Sequence, residues 1–187
     1  MSFKEMLSEK KPLILDKWLD AILNNYPADS AKFFKNQKDS FRNPVGYTIS
    51  TSIKGLFDEI IEDPESEKLY PYLDEIIKIK AVQNFSPSKA IFFIYQLKKI
   101  VRNELENEIK QKNLSNDLKI FEDQMDKLAL LAFDIYMLCR ERIFEIRVKE
   151  LKNMSFRLLK RANLVRELEE QESNFNSETV LTQNIKG

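Results

Sequence analysis

The sequence predicts an all-α protein, and three observations carry that prediction. Gly46, Gly55 and Gly187 are the three glycines in 187 residues, beside six prolines, too little turn material for an all-β chain. Apolar residues recur at three- and four-residue steps, the period of one helix face. Three times a capping residue stands directly before proline, at Asn43-Pro44, Asp63-Pro64 and Ser86-Pro87. Proline at the first helical position gives up a backbone N–H that has no partner there anyway.

The first segment places Phe3, Met6 and Leu7, then Leu13, Ile14, Trp18, Leu19, Ile22 and Leu23 on one stripe. Pro12 interrupts it, because its ring clashes with the preceding turn, so a joint is expected there. "NNYPADS" ends this helix, and a short one follows around Ser30 to Phe34 before the polar loop "KNQKDS". From Pro44 to about Glu62, Ile49, Ile53, Leu56, Phe57, Ile60 and Ile61 mark an amphipathic helix. Asp63 is expected to cap the next helix, which runs through Leu69, Leu73, Ile76, Ile77 and Ile79 to about Val82. Ser86 is expected to cap another, carrying Ile91, Phe92, Ile94, Tyr95 and Leu97 and reaching about Ile109, its polar end emerging from the core. The last helix is expected from about Ser115 to Leu168, with neither proline nor glycine inside it.

Its middle, "LALLAFDIYMLC", is apolar around most of its circumference, as in a helix buried on several sides. Asp134 within that run reads as a solvated sliver or a hydrogen-bonded partner. Beyond Cys139 the stripe narrows to Ile143, Ile146, Leu151, Met154, Leu158, Val165 and Leu168. A stripe that narrow suits a two-helix seam, and pairing with another chain accounts for the length. The steps between Ile143 and Leu151 are irregular, so an ideal heptad coil is not expected. Residues 1–168 therefore read as one helical domain, about 140–168 as a protruding C-terminal helix, and 169–187 as a disordered polar tail.

Composition excludes several function classes. Thirty basic residues balance thirty acidic ones, so no nucleic-acid partner is indicated. The chain has no histidine, which rules out Ser-His-Asp and Cys-His pairs and removes the commonest transition-metal ligand. No phosphate loop or dinucleotide fingerprint is present, and the acid pairs Asp58/Glu59 and Glu62/Asp63 lack a companion ligand set. The expectation is a protein that is not an enzyme and has no metal and no cofactor. Cys139 lies among apolar neighbours, which raises a thiol's pKa; Arg140 and Arg142 are the argument for reactivity. No secretory signal opens the chain and no run suits membrane insertion, so a cytoplasmic location is expected.

"FRNPVGYT" is the stretch that looks written for a purpose. Asn43 and Pro44 suit a helix start, but a cap does not require Gly46, which costs about 1 kcal/mol relative to alanine inside a helix. Either another backbone or ring lies against Gly46, or a ligand approaches the free N–H groups there, with Arg42 and Tyr47 beside it. A second ligand possibility is an apolar interhelical pocket lined by Phe92, Tyr95 and Phe133; the alternative is that these rings pack the core. From Arg140 to Arg166 basic residues outnumber acids, which suits a solvated helix with cross-chain ion pairs or docking onto an acidic surface.

Taken together, "KKPLILDKWLDAILNNYP", "FFKNQKDSFRNPVGYTI", "LDEIIKIKAVQNFSPSKAIFFIYQLK" and "LLAFDIYMLCRERIFEIRVKEL" resemble the RsbRD N-terminal domain family, over roughly Phe3 to Leu168. Trp18, Asn43 to Gly46 and "VQNFSPSKA" carry the likeness most specifically. The resemblance implies a globin-like helical bundle without haem that dimerises and passes signals along its last helix. In the family that helix leads to an appended STAS or kinase domain; here a short polar tail follows it, as in stand-alone members. Such members also resemble proteins found beside genes of the dissimilatory sulfite-reduction membrane complex, which implies an accessory role there. Tyr47 stands where many relatives have histidine, which puts a proton- or metal-dependent role of that position in doubt. The expected function is a sensor or adaptor acting as a homodimer and docking a protein partner through Ile143, Ile146, Leu151, Met154, Leu158 and Val165. The alternative is a binder of small apolar ligands.

Overall fold

The computed structural model describes residues 2–37 and 39–162. Among them are eight helices and no strand: α1 (Phe3–Glu9), α2 (Lys11–Leu23), α3 (Ala28–Asn36), α4 (Pro44–Glu62), α5 (Leu69–Val82), α6 (Pro87–Glu104), α7 (Glu106–Lys112) and α8 (Ser115–Arg161). Residues Met1–Glu141 form one compact unit, and a second begins at Arg142. Helix α8 contributes to both. Val165 and Leu168, and the tail expected at 169–187, lie outside the described residues.

The helix starts follow local chemistry where the caps are genuine. Ser2 and Glu5 close a capping box on α1: Glu5 N–H donates to Ser2 Oγ (3.2 Å) and Ser2 N–H to Glu5 Oε2 (2.7 Å). The joint comes at Lys10, and Pro12 occupies the first turn of α2, where its missing N–H costs nothing. Asp63 behaves differently from expectation. Its backbone is extended and closes α4 by donating to Glu59 O (2.8 Å), while its carboxylate accepts from Glu65 N–H (3.1 Å). Two turns, Ser66 N–H to Asp63 O and Leu69 N–H to Ser66 O, then carry the chain to Leu69, where α5 starts without a side-chain cap. Ser86 also precedes its helix without capping it, although Pro87 opens α6 as expected.

The core of the first unit is built around Trp18, Phe57 and Phe93, all fully buried. The Trp18 ring stacks on Phe93 (6.0 Å between centroids, 21° between planes), and its indole N–H donates to Phe93 O (2.8 Å). That bond fixes α2 against α6 and satisfies a polar atom that would be costly to bury alone. Helices α4 and α5 pack side by side. A Cβ on Gly55 would fall 2.4 Å from the Tyr72 ring, so the glycine marks a close approach. Ser52 Oγ, buried on α4, donates to Glu75 Oε2 across the same pair.

The long helix expected to reach Ile109 breaks at Leu105 into α6 and α7. Its end does not leave the core, because Leu105 and Ile109 are both buried. Val101, Leu105 and Ile109, at four-residue steps, keep to one buried face across the break, where Leu105 N–H still donates to Val101 O (3.0 Å) and Ile109 N–H to Leu105 O (2.8 Å). Helix α8 buries Phe121, Met125, Leu128, Ala129, Ala132, Ile135 and Tyr136 within the first unit. Asp134 is solvated on the opposite face, and Cys139 is half-buried.

Candidate functional site: a pinned helix start, a covered lysine and an exposed helix face

The buried Asn43 side chain makes three hydrogen bonds. Its Oδ1 accepts from Gly46 N–H (2.9 Å), and its Nδ2 donates to Phe34 O (2.9 Å) and Gln37 O (2.7 Å). One amide therefore caps α4 and ties it to the end of α3. The question raised by Gly46 has a geometric answer. A Cβ there would lie 2.4 Å from Phe34 O and 2.3 Å from Asn43 Nδ2. The residue must be glycine because another helix's carbonyl and the capping amide occupy that space. The N–H groups of Gly46 and Tyr47 are already donated, to Asn43 Oδ1 and Asn43 O. Arg42 and Tyr47 point outward on the exposed side of this start.

The three aromatics expected to line an interhelical pocket are on the surface. Phe92, Tyr95 and Phe133 are 51%, 41% and 40% exposed. The phase of α6 explains the first two: Ala90, Phe93, Ile94, Leu97 and Val101 face inward, leaving Ile91, Phe92 and Tyr95 on the outer half. Lys98 reaches over the Tyr95 ring at 5.9 Å. A cleft of about 270 Å³ does exist elsewhere, where Phe3 and Leu7 of α1, Ile60 of α4 and Phe121 of α8 line it.

Sequence reasoning missed Lys80. It is fully buried near the end of α5, at the three- and four-residue step after Ile76 and Ile77. The signal was available as a charged residue in phase with an apolar stripe. Its ammonium lies 4.9 Å from the centre of the Phe85 ring and 5.8 Å from that of Phe93. It has no hydrogen-bond partner among the described residues. Burial pushes the ammonium pKa down to about 8, with no carboxylate close enough to oppose the shift.

The corner between α5 and α6 covers this lysine. Asn84 adopts a left-handed conformation (φ 58°), which asparagine tolerates, and Phe85 N–H donates back to Lys80 O (3.1 Å). Helix α8 grips the same corner. Tyr136 Oη donates to Phe85 O (2.6 Å), and Arg140 Nη1 donates to Ala81 O (3.2 Å) and Asn84 Oδ1 (2.8 Å). Nearby, Tyr26 donates its hydroxyl to Gln83 Oε1 (2.7 Å), and burial raises its pKa to about 12.

In the second unit, the described helix runs from Arg142 and presents apolar side chains to solvent. Phe144, Ile146, Leu151, Met154, Phe156 and Leu158 are each more than half exposed, whereas Ile143 is half-buried. Phe144, passed over in the sequence stripe, puts Phe144, Leu151 and Leu158 at seven-residue steps, with Val148 between the first two. From Arg142 to Ala162 seven lysines and arginines face two glutamates. Among the described residues no group of three or more acidic or cysteine side chains is placed to hold a metal ion. None of the described helices is long and apolar enough to cross a membrane.

Comparison with known proteins adds a family. Residues 12–151 match the family described as the RsbT co-antagonist protein rsbRD N-terminal domain. An uncharacterized protein of Archaeoglobus fulgidus is 28% identical over 139 residues, which cover 73% of this chain and 82% of that one. No solved structure matches.

Proposed function

The chain belongs to the RsbT co-antagonist protein rsbRD N-terminal domain family, and from that premise we propose that it is a non-enzymatic regulatory domain of the stressosome type. It acts as a sensor or adaptor: it dimerises, and a protein partner docks on the α8 segment beyond Arg142. The observation that carries this reading is the solvent-facing apolar series Phe144, Leu151 and Leu158, with Met154 beside it. Exposed apolar rows of that regularity are characteristic of helix seams. Ile143 and Val165 belong to the same proposed interface, whereas Ile146, two residues after Phe144, is exposed on the other side of the helix and falls outside that row; the cell's cytoplasm is the proposed location.

The charge on this segment separates its two uses. Seven positive charges against two negative ones repel a second copy and attract an acidic surface. Salt screens both effects over a Debye length of about 8 Å at physiological ionic strength. Added salt therefore strengthens self-association and weakens docking of an acidic partner. Sedimentation velocity of the full chain and of Leu151→Glu, at low and high salt, tests the dimer. A dimer lost in Leu151→Glu supports it; a monomer at micromolar concentration in both salts overturns it. A more specific form of the reading makes the partner a component of the dissimilatory sulfite-reduction membrane complex, supported by the sequence resemblance alone. Capture of that complex's soluble-facing subunits by the wild type and not by Leu151→Glu tests it.

A further inference from the structure

Lys80 is a cation in an interior that offers it no acceptor. Its surroundings are the faces of Phe85 and Phe93, and rings of that kind hold a cation without satisfying its three N–H donors. No ion pair in the described residues reaches it. Isolated charges of this sort are either neutralised or accompanied by a counter-charge. We propose that Lys80 Nζ is the recognition point of an internal site for a small monovalent anion, roofed by the Phe85 ring.

The roof is placed to open. Phe85 is half-buried while Lys80 beneath it is fully covered. The Phe85 backbone is held on both sides of its Cα, its N–H donating to Lys80 O and its carbonyl accepting from Tyr136 Oη. The ring therefore has its χ1 rotation as the soft coordinate. An anion that enters beneath the ring accepts from Nζ and supplies the missing counter-charge. The ring is displaced against Tyr26, which lies 5.4 Å away, and the corner it belongs to is the one gripped by Tyr136 and Arg140 of α8.

The shared chemistry is a compact monovalent acceptor, whether halide, nitrate or a short carboxylate. The test compares the full-length wild type with Lys80→Met, using chloride, nitrate and acetate in turn at matched ionic strength. Unfolding is followed through Trp18, the single tryptophan. An anion that binds only the folded state raises the wild-type melting temperature saturably, and Lys80→Met lacks that increment. A chloride-35 line broadened by the wild type and not by Lys80→Met gives a readout independent of stability. Should Lys80→Met fail to fold, Phe85→Leu decides: a thinner roof over an intact lysine lowers the chloride concentration that half-saturates the broadening. Equal salt responses in wild type and Lys80→Met overturn the proposal, as does a half-saturating concentration unmoved by Phe85→Leu. These outcomes leave the sedimentation test untouched, so the two readings fail separately.

Discussion

Replacing Lys80 with methionine stabilises this protein at neutral pH in dilute, low-chloride buffer. The folded ammonium has a pKa of about 8 against an ordinary value of 10.5, a displacement equivalent to about 3 kcal/mol of penalty on the charged form. Attraction to the Phe85 and Phe93 rings returns about 1 to 2 kcal/mol of that. A buried amine without a partner costs about 1 kcal/mol more in either protonation state, so the net gain in Lys80→Met is about 2 to 3 kcal/mol at pH 7. The direction with pH follows from proton binding. Below pH 8 both states of the wild type hold the proton, and the full penalty applies. Between about 8 and 10.5 the unfolded chain binds more proton than the folded one, so wild-type stability rises with pH. The gap to Lys80→Met narrows across that window, down to about 1 kcal/mol for a neutral amine still lacking a partner. Urea unfolding of both proteins, followed by Trp18 emission at pH 7, 9 and 10.5, measures it. Other lysines and tyrosines titrate equally in both chains and cancel. A Lys80→Met protein no more stable than wild type at pH 7, or a gap that does not narrow with pH, refutes the reasoning.

Other substitutions test the helix start and the grip of α8. Gly46→Ala gains about 1 kcal/mol of helix propensity but drives a methyl onto the Phe34 carbonyl, for a net loss of about 2 kcal/mol in thermal unfolding. Gly55→Ala drives its methyl onto the half-buried Tyr72 ring, a side chain rather than another helix's backbone carbonyl, and loses less. Asn43→Ala leaves Phe34 O, Gln37 O and Gly46 N–H without their partner, costing about 2 to 3 kcal/mol in chemical unfolding. Asn43→Asp retains the cap acceptor but sets a buried carboxylate oxygen against Phe34 O and Gln37 O, so at neutral pH it is at least as destabilising as Asn43→Ala. Tyr136→Phe removes one hydrogen bond to Phe85 O, lowering global stability by about 1 kcal/mol and increasing hydrogen exchange at Asn84 and Phe85.

The sequence exposed the parts of this fold that depend on near neighbours. Asn43, Pro44 and Pro87 mark true helix starts because capping is settled within one turn. Asp63-Pro64 has the same local pattern and fails, since two successive turns take the chain to Leu69 before a helix forms. Phe92 and Phe93 are indistinguishable by composition; the packing of Trp18 on Phe93 decides which goes inside. Leu105 and Ile109 look like part of a polar helix end because charged neighbours surround them, yet they continue the four-residue step from buried Val101. Lys80 escaped notice since an apolar stripe is usually read from apolar residues. Four methylene groups let a lysine occupy such a position, and whether its ammonium then reaches water is a property of the neighbours. Gly46 was recognised as needing an explanation, and the Phe34 carbonyl that supplies it comes from a different helix.

The pairing of Asn43 with Pro44 also bears on how this protein ages. Asparagine deamidates when the nitrogen of the following residue, having lost its hydrogen, attacks the side-chain amide and closes a cyclic imide. Proline has no hydrogen on that nitrogen, so this route is shut at Asn43. The amide that joins α3 to α4 is thus chemically durable at the one position where conversion to aspartate would remove both donors.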